Sequence, residues 1–268
     1  MPVPRILMLP GYTQNAVIFS GRVGALRRAL KDSAELIFVD PPHVVDMPTI
    51  SSEDFKDKFD SSATADATKP EDVPRAWWFA QRSPEDGELR NYTKFDETLV
   101  YMRELVERHQ PDAVWGFSQG AAAAAILTAL VENPNLDPVF SAPPKDASIP
   151  WPPKPFKFAI LSAGFFPLDE RVKAYFDTKP KTPTLHVLGR GDTIVGEARS
   201  VPLTHAFVDS RVEWHEGGHH TPSKAGWRRF FEAYINLFGD GGRGADGISG
   251  IPSPTAGGSQ DEPSGGRL

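Results

Sequence analysis

The 268-residue chain is 40% hydrophobic and 24% charged, which is the composition of a globular protein with room for one sizeable core. Its formal net charge of -6 argues against nucleic acid or an anionic membrane as the main partner. Because the chain has no cysteine, disulfides, thiolate metal sites and cysteine nucleophiles are excluded.

Short apolar runs alternate with longer amphipathic segments along most of the chain. The predicted strands, in chain order, are residues 5–9, 35–39, 113–117, 158–162, 184–188 and 212–215. The predicted helices are residues 16–30, 95–109, 119–132, 168–176 and 222–237, the last with Pro222 in its first turn. This alternation is typical of βαβ units, so we expect an α/β fold with a mainly parallel central sheet flanked by helices.

Two long segments interrupt the alternation, and the C-terminal segment differs in composition. Residues 40–92 are polar and contain prolines, and residues 133–155 are proline-rich, so we expect lid-like insertions or extended connections there. Residues 239–268 are rich in Gly, Ser and Pro and bury too little apolar surface to offset their ordering entropy. We therefore expect one folded domain over residues 1–238 and a disordered tail over residues 239–268.

The chain shows neither a targeting signal nor a membrane span. The apolar run from Ile6 to Leu9 is too short for a signal-peptide core and is not followed by a small-residue cleavage site. The longest apolar stretch, residues 120–131, is also far shorter than a membrane span. We expect a soluble, cytoplasmic protein without a membrane partner.

The run Gly116-Phe117-Ser118-Gln119-Gly120 joins the predicted strand 113–117 to an alanine-rich helix. A G-x-S-x-G pattern between a strand and a helix predicts a nucleophile elbow, a tight turn that lifts a serine out of the sheet. Glycines on both sides of the serine let strand and helix approach each other. We predict that Ser118 is a nucleophile; the alternative is a glycine-rich turn with a solvated serine.

A nucleophilic serine needs a base, and the base needs an acidic group that orients it. Asp192 lies in the turn Gly189-Arg190-Gly191-Asp192, directly after the strand 184–188. This position at a strand end predicts the orienting carboxylate, and the alternative role of Asp192 is a helix N-cap. Asp169 and Asp209 are reserve candidates, although neither directly follows a predicted sheet strand.

The predicted base follows the last strand. His219 comes directly after the turn Gly217-Gly218, so its ring can reach over the strand ends toward Ser118. His220 is the alternative and is expected to point to solvent. His215 lies inside the strand 212–215 and is expected to be structural.

Backbone donors for an oxyanion are predicted from the loop after the first strand. The segment from Leu9 to Asn15 offers a backbone N–H from Tyr12 or Thr13, to be paired with the N–H of Gln119. The alternative is a plain strand-to-helix turn in which Asn15 or Thr13 acts as the cap.

Aromatic side chains near the predicted site have two interpretations. The adjacent Trp77 and Trp78 can anchor a polar loop to the domain, or one indole can line an acyl pocket. Phe165 and Phe166 follow the strand 158–162 and are expected at the edge of the same cleft. We therefore list Trp77, Trp78 and Phe165 as candidate substrate-binding residues.

Taken in order, these blocks resemble the serine hydrolase family typified by fungal FSH proteins and their ovarian-cancer-associated relatives, a branch of the α/β-hydrolase superfamily. The resemblance covers about residues 4–238 and leaves the tail uncovered. Loops of this family often show His-Gly where this chain has Pro10-Gly11. The difference removes only a side-chain role of that histidine, because the oxyanion hole uses backbone groups. The matching blocks are Leu9-Pro10-Gly11-Tyr12, Asp40-Pro41-Pro42-His43, Arg75-Ala76-Trp77-Trp78, Gly116-Phe117-Ser118-Gln119-Gly120-Ala121, Gly189-Arg190-Gly191-Asp192 and Gly217-Gly218-His219.

The resemblance implies an α/β-hydrolase fold and a serine hydrolase that cleaves carboxylic esters or acyl thioesters. Ser118, Asp192 and His219 would form its triad, and no cofactor or metal is expected. Some relatives look like thioesterases that release polyketide or fatty acyl chains in fungal secondary metabolism, so a substrate bound to an acyl-carrier protein is an alternative to a small-molecule ester. A second alternative is a non-catalytic relative that binds a ligand.

Overall fold

The computed structural model describes residues 3–46, 69, 72–82, 89–239 and 244–255. The strands are β1 (Arg5–Leu9), β2 (Glu35–Phe38), β3 (His43–Val44), β4 (Arg75–Ala76), β5 (Phe79–Arg82), β6 (Leu89–Thr93), β7 (Ala113–Phe117), β8 (Ala159–Ser162), β9 (Thr184–Gly189) and β10 (Ser210–His215). The α-helices are α1 (Ala16–Arg22), α2 (Gly24–Ala29), α3 (Phe95–His109), α4 (Gln119–Glu132), α5 (Pro138–Ser141), α6 (Glu170–Ala174), α7 (Glu197–Thr204) and α8 (Ala225–Asn236). Short 3-10 turns span Pro134–Leu136 and Gly244–Gly250.

The central sheet is parallel, as predicted. Within the described residues it has six strands in the order β10-β9-β8-β7-β1-β2, and each neighbouring pair is parallel. Outside this sheet, β3 pairs with β4 and β5 pairs with β6 as small antiparallel ribbons. These ribbons belong to the segment 40–92, where we predicted no strands.

Both faces of the central sheet are buried, because helices cover each of them. In β1, Leu7 and Leu9 belong to one core cluster, and Ile6 and Met8 belong to the cluster on the other face. This alternation follows from the two-residue repeat of a strand. The first cluster includes side chains of α3 and α4, and the second includes side chains of α1, α2 and α8. The result is a three-layered α/β arrangement.

Two predicted helices have different limits in the structure. The predicted helix 16–30 is divided into α1 and α2 at Val23, whose φ of -94° and ψ of 19° are not helical. Gly21 and Gly24 flank this break, and glycine weakens a helix interior. The predicted helix 222–237 begins only at Ala225, so Pro222 belongs to the preceding loop and does not start the helix.

Other helices were shorter than predicted or were not predicted. The predicted helix 168–176 is present only as α6. Helix α7 was missed because it contains Pro202, a residue that usually argues against a helix interior. The segment 133–155 also contains α5, which Asp137 caps by accepting a hydrogen bond from the Val139 N–H at 2.9 Å. The segment is therefore not simply an extended connection.

Part of the C-terminal segment packs on the domain, contrary to the predicted disorder. Ile248 and Ile251 pack against the core cluster that includes α8. The guanidinium of Arg211 in β10 donates hydrogen bonds to the carbonyl oxygens of both isoleucines, and Ser253 donates to the Glu213 carboxylate at 2.6 Å. Charged groups of the edge strand and two packed isoleucines thus hold this segment on the domain. The prediction is wrong for residues 244–255, and residues 256–268 lie outside the described residues.

The strand order opens a crevice at the carboxyl edge of the sheet. The chain leaves β1 toward β2 and leaves β7 toward β8, and these strands lie on opposite sides of the β1–β7 pair. The loops after β1 and β7 therefore diverge, which is where open α/β sheets usually bind ligands. Because the sheet is parallel, the loops after β9 and β10 end at the same edge. In the described part of the chain, no helix is both long and apolar enough to cross a bilayer.

The junction between β7 and α4 packs against neighbouring backbone at two glycines. A Cβ atom on Gly116 would lie 2.0 Å from the Gly120 carbonyl oxygen, and a Cβ on Gly120 would lie 2.1 Å from the Leu9 carbonyl oxygen. These neighbours are backbone atoms, which cannot move away as a flexible side chain can. Glycine at both positions is therefore a steric requirement of the turn.

We predict that Gly116→Ala lowers the melting temperature strongly or prevents folding, because strand and helix must separate to admit the methyl group. Gly21→Ala is the matched control, since a Cβ at this helical position meets none of the described residues within 4 Å outside its own helix. Relief of the glycine entropy cost should make this control more stable by about 0.5–1 kcal/mol. Thermal unfolding of both variants measures the difference, and equal melting temperatures would contradict the steric requirement for glycine at position 116.

Candidate active site

Ser118 stands at the turn between β7 and α4 in an uncommon backbone conformation. Its φ is 53° and its ψ is -119°, a region that costs a non-glycine residue about 1–3 kcal/mol. The Ser118 N–H donates to the Ser162 carbonyl oxygen at 2.9 Å, and the Ser118 carbonyl oxygen accepts from the Ala121 N–H at 2.9 Å. The sheet and the helix together fix this conformation, which presents the side chain at the carboxyl edge of the sheet.

His219 lies between Ser118 and Asp192 in a continuous hydrogen-bonded chain. The His219 Nε2 atom is 2.9 Å from the Ser118 Oγ atom, and its Nδ1 atom is 2.7 Å from the Asp192 Oδ2 atom. A carboxylate can only accept, so Nδ1 carries the proton and Nε2 is left to accept from the serine hydroxyl. The side chains of His219 and Asp192 are only 13% and 3% exposed, so little water competes for these bonds.

Asp192 accepts hydrogen bonds from His219 and from the backbone of its own turn. The alternative role as a helix N-cap is wrong, because the next helix, α7, begins at Glu197 and has Gly196 as its N-cap. The Asp192 Oδ2 atom accepts from His219, while its Oδ1 atom accepts from the N–H groups of Ile194 and Val195 at 2.9 and 2.8 Å. Burial raises the pKa of the carboxyl, but these hydrogen bonds outweigh burial and hold the pKa below its ordinary value. Asp192 is therefore ionised at neutral pH and has a fixed orientation.

The loops that carry Asp192 and His219 bind each other through their backbones. The Gly191 N–H donates to the Gly217 carbonyl oxygen at 3.0 Å, and the Arg190 N–H donates to the His215 carbonyl oxygen at 2.9 Å. A Cβ on Gly189 would lie 2.5 Å from the Gly218 carbonyl oxygen. Glycines thus let the two loops run side by side, and this sets the distance between Asp192 and His219.

The other candidate histidines occupy different surroundings. His215 is buried, and its Nδ1 atom accepts from the Gly217 N–H at 3.1 Å. Burial, with a smaller effect of neighbouring His220, lowers the pKa of His215 to about 4, so its ring is neutral at neutral pH. The His220 side chain is exposed, and its ring packs against His215 at 4.7 Å between centroids. Neither lies in the chain that joins Ser118 to Asp192.

The reserve acids also lie outside this chain. Asp169 is the N-cap of α6, where its Oδ1 atom accepts from the Arg171 N–H at 3.0 Å and its Oδ2 atom accepts from the Tyr92 N–H at 2.9 Å. Asp209 is exposed, and its carbonyl oxygen accepts from the Thr184 N–H at 2.9 Å. Both residues have structural bonds of their own.

Of the two oxyanion donors predicted in the loop after β1, Tyr12 and Thr13, the second already has a partner for its backbone N–H. The Thr13 N–H donates to the Arg75 carbonyl oxygen at 2.7 Å, and Thr13 has a φ of 67°. The Gly11 N–H is likewise used, since it donates to the Gln14 Oε1 atom at 3.1 Å. The prediction of Thr13 as a donor is therefore wrong, while that of Tyr12 stays a prediction. Gln119 is the first residue of α4, where a backbone N–H has no partner within the helix.

The two tryptophans are core residues and do not line a cleft. Trp77 is 0% exposed and Trp78 is 1% exposed. The Trp78 ring stacks on Tyr92 at 4.9 Å and meets the edge of Phe95 at 5.6 Å, both between centroids. Of the two interpretations, the anchor is confirmed, and the prediction that Trp77 and Trp78 bind substrate is wrong.

Phe165 lies in the loop after β8, on the carboxyl side of the sheet. Its half-buried ring packs against the first core cluster, and the Arg199 guanidinium lies 4.6 Å above it. Phe166 packs nearby against Phe176 at 5.5 Å between centroids. The prediction that Phe165 binds substrate stays a prediction, because its described contacts are with the core and with Arg199, not with Ser118, Asp192 or His219.

A cavity of about 210 Å³ lies beside His219, on the side of α1. Phe19, Val23 and Phe117 supply apolar wall, and Gln14, Arg22 and His219 supply polar groups. The Phe117 ring also lies 4.9 Å from the His219 ring, between centroids. We did not predict Phe19 or Val23, because only the packing of α1 against β7 brings them to the site.

The side chain of Gln119 is a second feature that we missed. Its Oε1 atom accepts from the Trp77 N–H at 3.0 Å, and its Nε2 atom donates to the Trp78 carbonyl oxygen at 2.9 Å. The sequence places these residues 42 and 41 positions apart and gives no sign of the contact. We had considered only the backbone of Gln119.

This parallel sheet, with a serine at a strand–helix turn and a histidine and carboxylate from the last two strand-end loops, has the α/β-hydrolase fold. Residues 1–231 match the family model described as Serine hydrolase (FSH1). The chain therefore belongs to the FSH1 serine hydrolase family, as its sequence blocks suggested.

Two relatives illustrate the match. The chain is 31% identical to esterase OVCA2 of Danio rerio over 245 residues, which cover 87% of the chain and 97% of that protein. It is also 31% identical over 238 residues to an uncharacterized hydrolase of Schizosaccharomyces pombe. That match covers 87% of the chain but only 51% of the S. pombe protein, so the chain spans about half of the length of that relative.

The fold is similar to that of solved hydrolase structures. Acyl-protein thioesterase 2 of Zea mays superposes with a TM-score of 0.54 at 17% sequence identity, covering 88% of the chain and 94% of that protein. At this identity the similarity concerns the fold alone.

Proposed function

We propose that this protein is an esterase that cleaves carboxylic esters by a two-step acyl transfer to Ser118. The observation that carries the proposal is the hydrogen-bonded chain from the Ser118 Oγ atom through His219 to Asp192. The proposed nucleophile, base and orienting acid lie within hydrogen-bonding distance of one another, which is the arrangement that nucleophilic catalysis requires.

In the first step, His219 acts as base and then as acid. Its Nε2 atom accepts the Ser118 hydroxyl proton as the Oγ atom attacks the ester carbonyl carbon. The carbonyl oxygen takes up the electron pair and becomes an oxyanion. When the pair returns, the bond to the leaving alcohol breaks, and His219 gives its proton to the alcohol oxygen. The acyl group is then bound to Ser118 as an ester.

In the second step, water takes the place of the serine. His219 accepts a proton from water, the hydroxide oxygen attacks the acyl-enzyme, and the proton returns to the Ser118 Oγ atom as the acid product leaves. The Asp192 carboxylate stabilises the imidazolium of His219 in both steps. Because its pKa is below the ordinary value, it carries this charge at neutral pH.

We assign the oxyanion to the backbone N–H groups of Gln119 and Tyr12. Gln119 opens α4, whose N-terminus adds the favourable end of a helix dipole. Tyr12 lies in the loop after β1, which the parallel pairing of β1 with β7 brings next to the elbow. A Cβ on Gly11 would lie 3.3 Å from the Ser118 Cβ atom, which indicates how closely this loop approaches the nucleophile.

The proposed substrate is a small-molecule carboxylic ester. The cavity beside His219 offers about 210 Å³ with both apolar and polar walls, which suits a compact ester better than a large polymer. An acyl thioester, free or bound to an acyl-carrier protein, is the alternative substrate, since the same triad performs both reactions. A purely ligand-binding role is disfavoured, because ligand binding alone does not require a strained serine aligned with a histidine and a carboxylate.

We predict that Ser118→Ala lowers kcat/KM for a p-nitrophenyl ester by at least about a thousandfold, because it removes the hydroxyl that is bonded to His219. The fold should persist, since serine and alanine place a Cβ atom equally. Exposed Ser249 provides the control Ser249→Ala, which should retain activity. Measuring kcat/KM of the same proteins for a thioester of the same acyl group tests the alternative substrate. Turnover by Ser118→Ala at the wild-type rate would refute the assignment.

A second prediction separates the two roles of Asp192. Asp192→Asn keeps an oxygen for the N–H groups of Ile194 and Val195 but presents an amide to His219, which favours the wrong tautomer. We expect kcat to fall by about 10³–10⁴ with little change in melting temperature. Asp192→Ala also leaves the N–H groups of Ile194 and Val195 without their acceptor, so it should lose a similar factor in kcat and about 1–3 kcal/mol of stability. If both variants kept wild-type kcat, Asp192 would serve only to stabilise its turn.

A further inference from the structure

We propose that residues 75–78, here called the clamp segment, are a positioning device for the oxyanion hole, with Trp77 and the Gln119 side chain as its key positioning residues. This inference rests on the proposed function. The two proposed oxyanion donors belong to different loops, one after β1 and one after β7. The clamp segment binds both loops and is itself fixed to α3.

The Gln119 side chain joins the clamp segment to the nucleophile elbow. Its amide accepts from the Trp77 N–H at 3.0 Å and donates to the Trp78 carbonyl oxygen at 2.9 Å. The two backbone partners, one donor and one acceptor, fix which end of the amide is oxygen. Gln119 is only 7% exposed, so water does not replace these bonds easily. The residue that supplies a backbone N–H to the oxyanion is thus held at its side chain as well.

The loop after β1 is held by the same segment at two points. The Trp77 indole N–H donates to the Pro10 carbonyl oxygen at 2.9 Å, and the Thr13 N–H donates to the Arg75 carbonyl oxygen at 2.7 Å. These two bonds lie on either side of Gly11 and Tyr12. Thr13 has a φ of 67°, a conformation that non-glycine residues keep only when their surroundings impose it. The bond to Arg75 supplies that constraint.

The clamp segment is itself rigidly held. Both tryptophans are almost fully buried, and the Trp77 carbonyl oxygen accepts from the Thr98 hydroxyl of α3. The Arg75 guanidinium donates to the Pro41 carbonyl oxygen at 3.1 Å. Trp78 adds its stacking on Tyr92 at 4.9 Å between centroids. A segment fixed in this way can hold two loops at a constant separation.

The kinetic consequence follows from how an oxyanion hole works. Its donors must lie about 2.7–3.1 Å from the position that the oxyanion takes. The carbonyl oxygen of the ground state forms weaker hydrogen bonds to the same donors. A small change in the separation of the two loops therefore raises the barrier without weakening substrate binding to the same extent. Loss of the clamp should lower kcat and leave KM nearly constant.

The test uses two variants and a matched control. Trp77→Phe removes the indole donor but keeps an aromatic ring, and Gln119→Met keeps the shape of the side chain without its hydrogen bonds. Trp151→Phe is the control, because the Trp151 indole N–H also donates to a backbone carbonyl oxygen, that of Phe140 at 2.7 Å, in a segment remote in sequence from both loops. We expect each clamp variant to lower kcat about 10- to 100-fold with KM within about threefold, and the control to retain kcat.

A transition-state analogue distinguishes positioning from loss of stability. A trifluoromethyl ketone forms an oxyanion on Ser118, so its affinity per active site should fall by the same factor as kcat/KM in the clamp variants. A merely structural role would lower the melting temperature but leave this affinity per folded molecule unchanged. The pH profile of kcat/KM should keep its wild-type shape, since His219 and Asp192 are untouched.

The proposal is overturned if Trp77→Phe and Gln119→Met keep wild-type kcat and analogue affinity, or if both lose no more than Trp151→Phe. This result is distinguishable from failure of the proposed function. If the proposed function failed, the wild-type protein itself would lack Ser118-dependent ester hydrolysis. If only the clamp proposal failed, the wild-type protein would still hydrolyse the ester and Ser118→Ala would still be inactive.

Discussion

Three backbone segments meet at the turn between β7 and α4, and their close approach governs the arrangement of the site. A side chain at Gly116 would collide with the backbone of α4, and a side chain at Gly120 would collide with the end of β1. This contact forces Ser118 into a φ of 53° and directs its hydroxyl to the carboxyl edge of the sheet. The same contact places the loop after β1 beside the start of α4. The proposed nucleophile and the two proposed oxyanion donors therefore depend on a single packing constraint.

The remaining parts of the site are held by hydrogen bonds between loops. The acid and base loops pair through their backbones, and the Asp192 carboxylate both orients His219 and caps the turn in which it lies. On the other side of Ser118, the Gln119 amide and the Trp77 indole connect the elbow to the loop after β1. Few of these groups are exposed, so water competes little for their hydrogen bonds and the arrangement is well fixed. Such preorganisation is what makes oriented dipoles effective in catalysis.

The sequence predicted the parts of the protein that depend on local pattern and chain order. The alternation of apolar runs predicted the parallel sheet, and Ser118, Asp192 and His219 follow its strands in the order that a triad requires. The errors concern contacts between distant segments. Trp77 and Trp78 looked available to a cleft because their loop is polar, but Tyr92 and Phe95 from other segments bury them. Thr13 was excluded as a donor by a bond to Arg75, and the C-terminal segment was held by Arg211 and Glu213 of an edge strand. None of these partners could be chosen from the sequence alone.

The central claim is that Ser118 is an activated nucleophile, and covalent labelling tests it most directly. A fluorophosphonate reacts with a serine hydroxyl only when a base and an oxyanion hole assist the attack on phosphorus, with fluoride as the leaving group. Intact-protein mass spectrometry followed by peptide mapping should find one adduct per chain, located on Ser118, and none on folded Ser118→Ala protein. A folded wild-type protein that carries no adduct on Ser118, or carries it on another residue, would contradict the account.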